Sequence, residues 1–452
     1  MVSLDHERLL RHIDEHHNSY LERWEQFHAP FTKHLKHRTG QTQPATQAPI
    51  MSDRLQLQLQ SRSIHTALLN NDNSFIYGEL DNGASRTLLF SQYYTANLPA
   101  IWELLPIATW LIALDVYREC VGKIPVNIKW LLHGSGNADA SALHSIVEEH
   151  RQQLQADGCL WSRPLTIEES IVWPIADNIP LFFLGIRGLL CVELTAHVTT
   201  NPVPSHYGSI APNAAWRLLW ALNSLKGANE EIRIEGFYDT LAPIEDEALS
   251  SLYTLPDTAP TLARQWGMKE LLLGLQGFQM HYAHLLTPTC TINFLTGGNE
   301  TGSPSSPSAP SFPLQIPSQA RAQVDFYLLP GQEPDDIFAR LQHHLHSRGF
   351  SDIQARLLYR CPPAYTPLAD SFVQLVCDAT TRAYAHKPLI LPMLPEAHPL
   401  SLLQHRTGMP ILITSAGIAQ SATQQWDHHD VASSLIRGLK QTALIINALG
   451  RT

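Results

Sequence analysis

Apolar residues recur at helical spacing from the start of the chain. Leu9, Leu10, Ile13, Tyr20, Leu21, Trp24 and Phe27 predict one amphipathic helix over residues 5–35. Residues 38–52, rich in Thr, Gln and Pro, read as a connecting loop. Residues 75–80 and 86–94 read as strands on either side of the Asn82-Gly83 turn signal. A helix over 99–121, a compact apolar strand over 126–133, a helix over 142–155 and a strand start at 159–161 follow. Strands alternating with helices predict a mostly parallel sheet covered on both faces. The grammar changes after Gly188: a long strand over 189–198, a helix over 214–225, strands over 291–294 and 321–328, a helix over 333–347 and a strand over 352–359. Residues 297–313, rich in Gly, Ser and Pro with an Asn, read as a flexible loop. Helices over 372–385 and 431–449 around a strand over 411–415 then restore the first grammar. The fold class expected is α/β: a mixed, mostly parallel sheet sandwiched by helices, with an α+β unit inserted into it.

A length of 452 residues favours two compact domains, and 44% hydrophobic with 16% charged residues is globular composition. A net charge of −10 disfavours a nucleic-acid binder. The apolar run 98–116 is broken by Pro99, Glu103, Pro106 and Asp115, so it reads as a buried helix and not as a membrane span. Six cysteines stand singly without a CxxC pair, and the first twenty residues lack the apolar core of a signal peptide, so a cytoplasmic protein is expected. Histidines cluster at 12, 16 and 17, at 343, 344 and 346, and at His428-His429 between Asp427 and Asp430. The first two clusters read as solvated helix faces. The third reads as a capped helix start or as metal ligands. No GxSxG elbow, P-loop or Rossmann fingerprint occurs, and Gly134-Ser135-Gly136 is only turn-like.

Nine segments, in order along nearly the whole chain, resemble the dinuclear zinc peptidase and deacylase family of carnosinases, aminoacylases and carboxypeptidase G, above all its dipeptidase branch. They are TLLFSQYY (87–94), NIKWLLHGS (127–135), ADGCLW (156–161), GIRG (185–188), YGSIAPNAAWRLLWAL (207–222), GFYDTL (236–241), PTCTINFLTGG (288–298), PSQARAQVDFYLLPGQEPDDI (317–337) and SAGIA (415–419). The resemblance implies a discontinuous catalytic-type domain over 1–186 and 362–452 with a lid over 187–361 that mediates homodimerisation. It also implies a di-zinc centre held by His, Asp and Glu, with a Glu general base.

Position by position, the family's chemistry is missing. The strand that should end in His-x-Asp ends Gln92-Tyr93-Tyr94, so the first ligand is lost. The segment that should carry the bridging Asp is shortened to 95–99, and the Glu-Glu pair of base and ligand is replaced by Gly136-Asn137. The acid expected after CLW is Ser162, with Asp157 nearby as a substitute. The lid histidine aligns near Val203, with His206 close by, and the lid arginine that grips a substrate carboxylate is Tyr327. A last histidine ligand aligns near Gln424 or Trp426. Asn213, Tyr327 and Gly417 occupy substrate-side positions by the same resemblance, and Pro392 and Pro395 remove N–H donors from a substrate-contacting loop.

Two functions follow. The first is a degenerate homologue acting as a binding or regulatory subunit, without cofactor, for a small peptide or amino-acid-like ligand. The second is a zinc metallopeptidase or amidohydrolase with a rebuilt site, for which Asp157, His133, His206, His428 and His429 are the candidates. Neither nucleic acid nor a membrane is expected as a partner.

Overall fold

A computed structural model of the chain describes residues 4–32, 48–70, 74–94, 101–134, 140–163, 167–173, 179–297, 315–415 and 428–451. The chain opens with helices α1 (Leu4–Glu15), α2 (His17–Thr32) and α3 (Ala48–Gln60), followed by strands β1 (His65–Leu68), β2 (Phe75–Leu80) and β3 (Thr87–Tyr93). Helix α4 (Ile101–Cys120) leads to β4 (Asn127–His133), α5 (Ala140–Glu149), α6 (Arg151–Leu154), β5 (Gly158–Ser162), α7 (Ile167–Val172) and β6 (Leu181–Phe183). The middle of the chain holds β7 (Gly185–His197), β8 (Val203–Pro204), α8 (Ala214–Leu225), α9 (Asp246–Ser250), α10 (Ala259–Gln265), α11 (Gly277–Leu286) and β9 (Thr289–Gly297). There follow β10 (Gln315–Ile316), β11 (Gln319–Leu328), α12 (Pro334–Ser347), β12 (Gln354–Cys361) and β13 (Ala364–Tyr365). Helix α13 (Ser371–Tyr384), β14 (Leu389–Leu391), β15 (Leu394–Ala397), α14 (Ser401–Thr407), β16 (Ile411–Ser415) and α15 (His428–Leu449) complete it.

The architecture is mixed α/β with a mostly parallel central sheet. Its eight strands run in the order β1-β2-β4-β3-β5-β16-β6-β14, so strands from the two ends of the chain interleave. β3 lies parallel to both β4 and β5, β16 is parallel to β5, and β14 is parallel to β6. A second sheet, β12-β7-β11-β9, is antiparallel throughout that order and carries α8 and α12.

Side chains alternate across the central sheet, and each face has its own core. Leu88, Phe90, Trp130, Leu132 and Leu160 join α1 to α4, α13 and α15 on one face. Leu89, Leu131, Cys159, Trp161 and Phe183 join α5, α10, α11 and α14 on the other. Leu104 to Val116 of α4 are almost all buried, because this helix lies between the sheet and α1, α2 and α15. A helix apolar on every side has to be enclosed in this way.

Several expectations are corrected. The N-terminal helix is two helices that meet at His16. Residues 48–52 belong to α3 and not to a loop, because Met51, Leu55 and Leu59 form an i, i+4, i+8 stripe that is buried. β2 and β3 do not form a hairpin across Gly83: β4 lies between them and pairs with both. His344 is buried and shares a hydrogen bond of 3.1 Å with Ser224, so it is not part of a solvated face. Among the described residues, no helix is long and apolar enough to cross a membrane.

Candidate functional site

Because β3, β4, β5 and β16 are parallel, their C-terminal ends meet at one edge of the sheet, where α/β folds place their sites. The register sets Tyr93 beside His133, Gln92 beside Ser162, and Ser162 beside Thr414. Alternation sends Gln92 and Ser162 toward α4 and α15, and sends Tyr93, His133 and Trp161 to the opposite face. All but the half-buried Tyr93 are buried.

Toward α4, the Gln92 amide nitrogen donates to the Tyr93 carbonyl at 3.0 Å, while its Oε1 and the Ser162 Oγ have no partner. On the opposite face the rings form a stack. His133 lies 6.4 Å from Phe75 and 5.7 Å from both Tyr93 and His398, and His398 lies flat on Trp161 at 4.0 Å. Neither ring nitrogen of His133 has a partner. Burial pushes its pKa down to about 4 and holds that of His398 well below the usual histidine range, so both imidazoles are neutral at pH 7. Arg163, just past β5, forks onto Glu169 at 2.9 and 3.0 Å and reaches Glu396 at 3.1 Å. This cation is therefore already engaged by two carboxylates.

A di-zinc centre needs anionic oxygen donors and imidazoles converging on two ions. Gln92 and Ser162 supply a neutral amide and a neutral hydroxyl, and these do not fit that demand. Among the described residues no group of three or more His, Cys, Asp or Glu side chains is placed to hold a metal ion.

The remaining candidates lie in several places. Asp157 stands at the N-terminal end of β5, where it accepts from Arg86 and from the Thr87 amide, both at 2.7 Å, away from Ser162 at the other end of the strand. His206 is exposed in a 3₁₀ turn over Ser205–Tyr207 against the Tyr207 ring. Asn213 caps α8, its Oδ1 accepting from the amides of Ala215 at 2.9 Å and Trp216 at 3.2 Å, and the cap consumes that oxygen. Tyr327 lies in β11 opposite Leu189, and burial raises its pKa. Gly136, Asn137, Gly417 and residues 95–99 lie outside the described residues. His428 and His429 open α15.

His398, Arg163, Glu169 and Glu396 were not singled out from sequence. The only signal was a Glu and a His set between prolines in an otherwise apolar run over 389–403.

The peptidase dimerisation domain model matches residues 184–352. Beta-Ala-His dipeptidases are similar over part of the chain. The rat protein is 26% identical over 145 residues, which is 31% of this chain and 28% of that protein. The human protein is 25% identical over 153 residues, 32% of this chain and 28% of that protein. The matched stretch thus spans about 28% of the length of these relatives. Among solved structures, an M20 family metallo-carboxypeptidase from Sulfolobus solfataricus aligns with a TM-score of 0.69 at 21% identity, covering 90% of this chain and 95% of that one. Human carnosine dipeptidase 1 aligns with a TM-score of 0.65 at 15% identity over the whole of both chains. At these identities the structural likeness is one of fold. The chain has the fold seen in M20 peptidase structures, and its residues 184–352 match the peptidase dimerisation domain.

Proposed function

We propose that this protein is a binding or regulatory subunit built on the peptidase fold, one that does not carry out metal-dependent hydrolysis. The observation that carries this reading is the pairing of Gln92 with Ser162 at the strand ends, an amide and a hydroxyl where metal chemistry requires an imidazole and a carboxylate. The two unpartnered nitrogens of buried His133 support the rival reading, an amidohydrolase with a rebuilt zinc site. Metal analysis and dipeptide hydrolysis on the same purified sample decide between them. Metal-free protein without turnover is expected. Two tightly bound zinc ions with hydrolysis would overturn the proposal.

The unit acts as a homodimer through its lid, with the boundaries taken as 187–361 for the lid and 1–186 with 362–452 for the rest. Supporting this, α8 and the edge strand β9 pack side by side and leave Trp216, Leu219, Trp220, Ile292, Phe294 and Leu295 exposed. So large an apolar surface on a soluble unit calls for a cover. The free cysteines Cys120, Cys159, Cys191, Cys290, Cys361 and Cys377 accord with a reducing, cytoplasmic setting.

A further inference from the structure

A cavity opens between α4, the end of α13, α15 and the C-terminal ends of β5 and β16. Its interior is small, ≈ 50 Å³, opens to solvent at a mouth and lies behind the Gln92–Ser162 pair. Leu105, Trp110, Leu160 and Ile445 give the lining apolar surface. Uncharged polar groups line it as well, among them Thr109, Ser162, Thr414, Ser434, Gln441 and Thr442. Among the described residues of the lining there is no Lys, Arg, Asp or Glu, and burial pushes the phenol of Tyr384, at its edge, up to about 12, which keeps it neutral as well.

Two features separate this cavity from a packing gap. Ser162 is 2% exposed, yet its Oγ is left without a hydrogen-bond partner, and an unmet hydroxyl costs stability unless something fills it. The walls are also brought together by design of sequence: Gly438, in the interior of α15, lets that helix approach α4 so closely that a Cβ would stand 2.8 Å from Thr109 Cγ2. A peptide ligand with charged ends finds no counter-charge among these described residues, and its desolvation would go uncompensated by them. A short primary amide with an aliphatic group finds both of its halves matched.

We infer that this cavity is a binding site for a small uncharged amide or alcohol, with Ser162 Oγ as its polar anchor. This deepens the binding-subunit reading and rests on it.

Isobutyramide and its isosteric anion isobutyrate are the probes, observed by saturation-transfer NMR on the full-length protein. Transfer is expected to isobutyramide and not to isobutyrate. Ser162→Ala is expected to weaken the amide roughly 5-fold, the worth of one neutral hydrogen bond. Its melting temperature without probe should be unchanged or higher, because an unmet hydroxyl has been removed. Ser434→Leu, which fills the cavity, should abolish transfer. Equal transfer to both probes, transfer to neither, or transfer unchanged in both variants would overturn the site, and a melting temperature lowered by Ser162→Ala would assign the hydroxyl to the fold alone. Zinc content and dipeptide turnover on the same preparation keep the two readings apart. Hydrolysis together with amide binding defeats the subunit reading and leaves the cavity standing. Inactive protein that ignores the amide does the reverse.

Discussion

His133 illustrates what a single side chain contributes when it is walled in by rings. Its folded-state pKa of about 4 lies below the 6.5 of an exposed imidazole, so between those values the unfolded chain holds a proton that the folded one does not. The stability that depends on neutral His133 is thus fully present above pH 6.5 and is lost as pH falls toward 4, by up to ~3 kcal/mol for a shift of this size. His284, also pushed down to about 4 by burial, acts in the same direction. Denaturant midpoints measured from pH 7.5 to 4 should fall, and His133→Leu should flatten part of that slope. At the same scale, Gln92→His combined with Gly136→Glu and Asn137→Glu is expected to give no zinc-dependent dipeptidase activity, since on the proposed reading a bridging carboxylate would still be missing; turnover in that variant would overturn the reading of 95–99 as a deletion. Gln92 and Ser162 were legible as neighbouring strand ends because the sequences of β3 and β5 are locally distinctive. His398 was not, because its partners Trp161 and His133 are remote in sequence and only the fold brings them together.

Among elements, the legible ones carry their own boundary signals. α8 begins after the cap Asn213 and follows a clean amphipathic pattern, so its bounds were readable to the residue. α3 was missed because its Gln-rich sequence resembles a loop until Met51, Leu55 and Leu59 are seen facing the core. The Asn82-Gly83 signal marked a real bend, with Gly83 at φ 64°, yet a local bend cannot say which strand will lie alongside. The packing of α15 on α4 gives a prediction proper to this scale. Gly438→Ala improves helix propensity but brings a methyl group against Thr109, so it is expected to destabilise by about 1–3 kcal/mol. Thr109→Ser removes the opposing Cγ2 while retaining the hydroxyl that bonds the Leu105 carbonyl at 2.7 Å. The double variant should regain most of the loss in thermal unfolding, and a purely additive cycle would refute the contact as the cause.

For the whole molecule, the proposed dimer rests on the exposed faces of α8 and β9. Trp220→Glu with Phe294→Glu should convert a dimer to a monomer by light scattering at micromolar concentration while leaving the far-ultraviolet circular dichroism unchanged. A wild-type protein that is already monomeric would remove the dimer from the proposal. The alternation of elements made the fold class legible, because the change of grammar after Gly188 coincides with the start of a different sheet. The strand order was not legible, since it depends on pairings between distant segments.

That order has a bearing on how the protein is made. Strand β6 finds both of its neighbours, β14 and β16, in the last part of the chain. Until residues 389–415 have left the ribosome, β5 and β6 face an empty slot, and Leu181 to Phe183 have no hydrogen-bonding partner strand. Closing that slot joins segments more than two hundred residues apart, and such long-range pairings are slow to form. In pulsed hydrogen exchange during refolding, the amides of β6 and β16 should gain protection together and after those of β3 and β4. A nascent chain halted before residue 389 should meanwhile expose the apolar edge of β5 to chaperones.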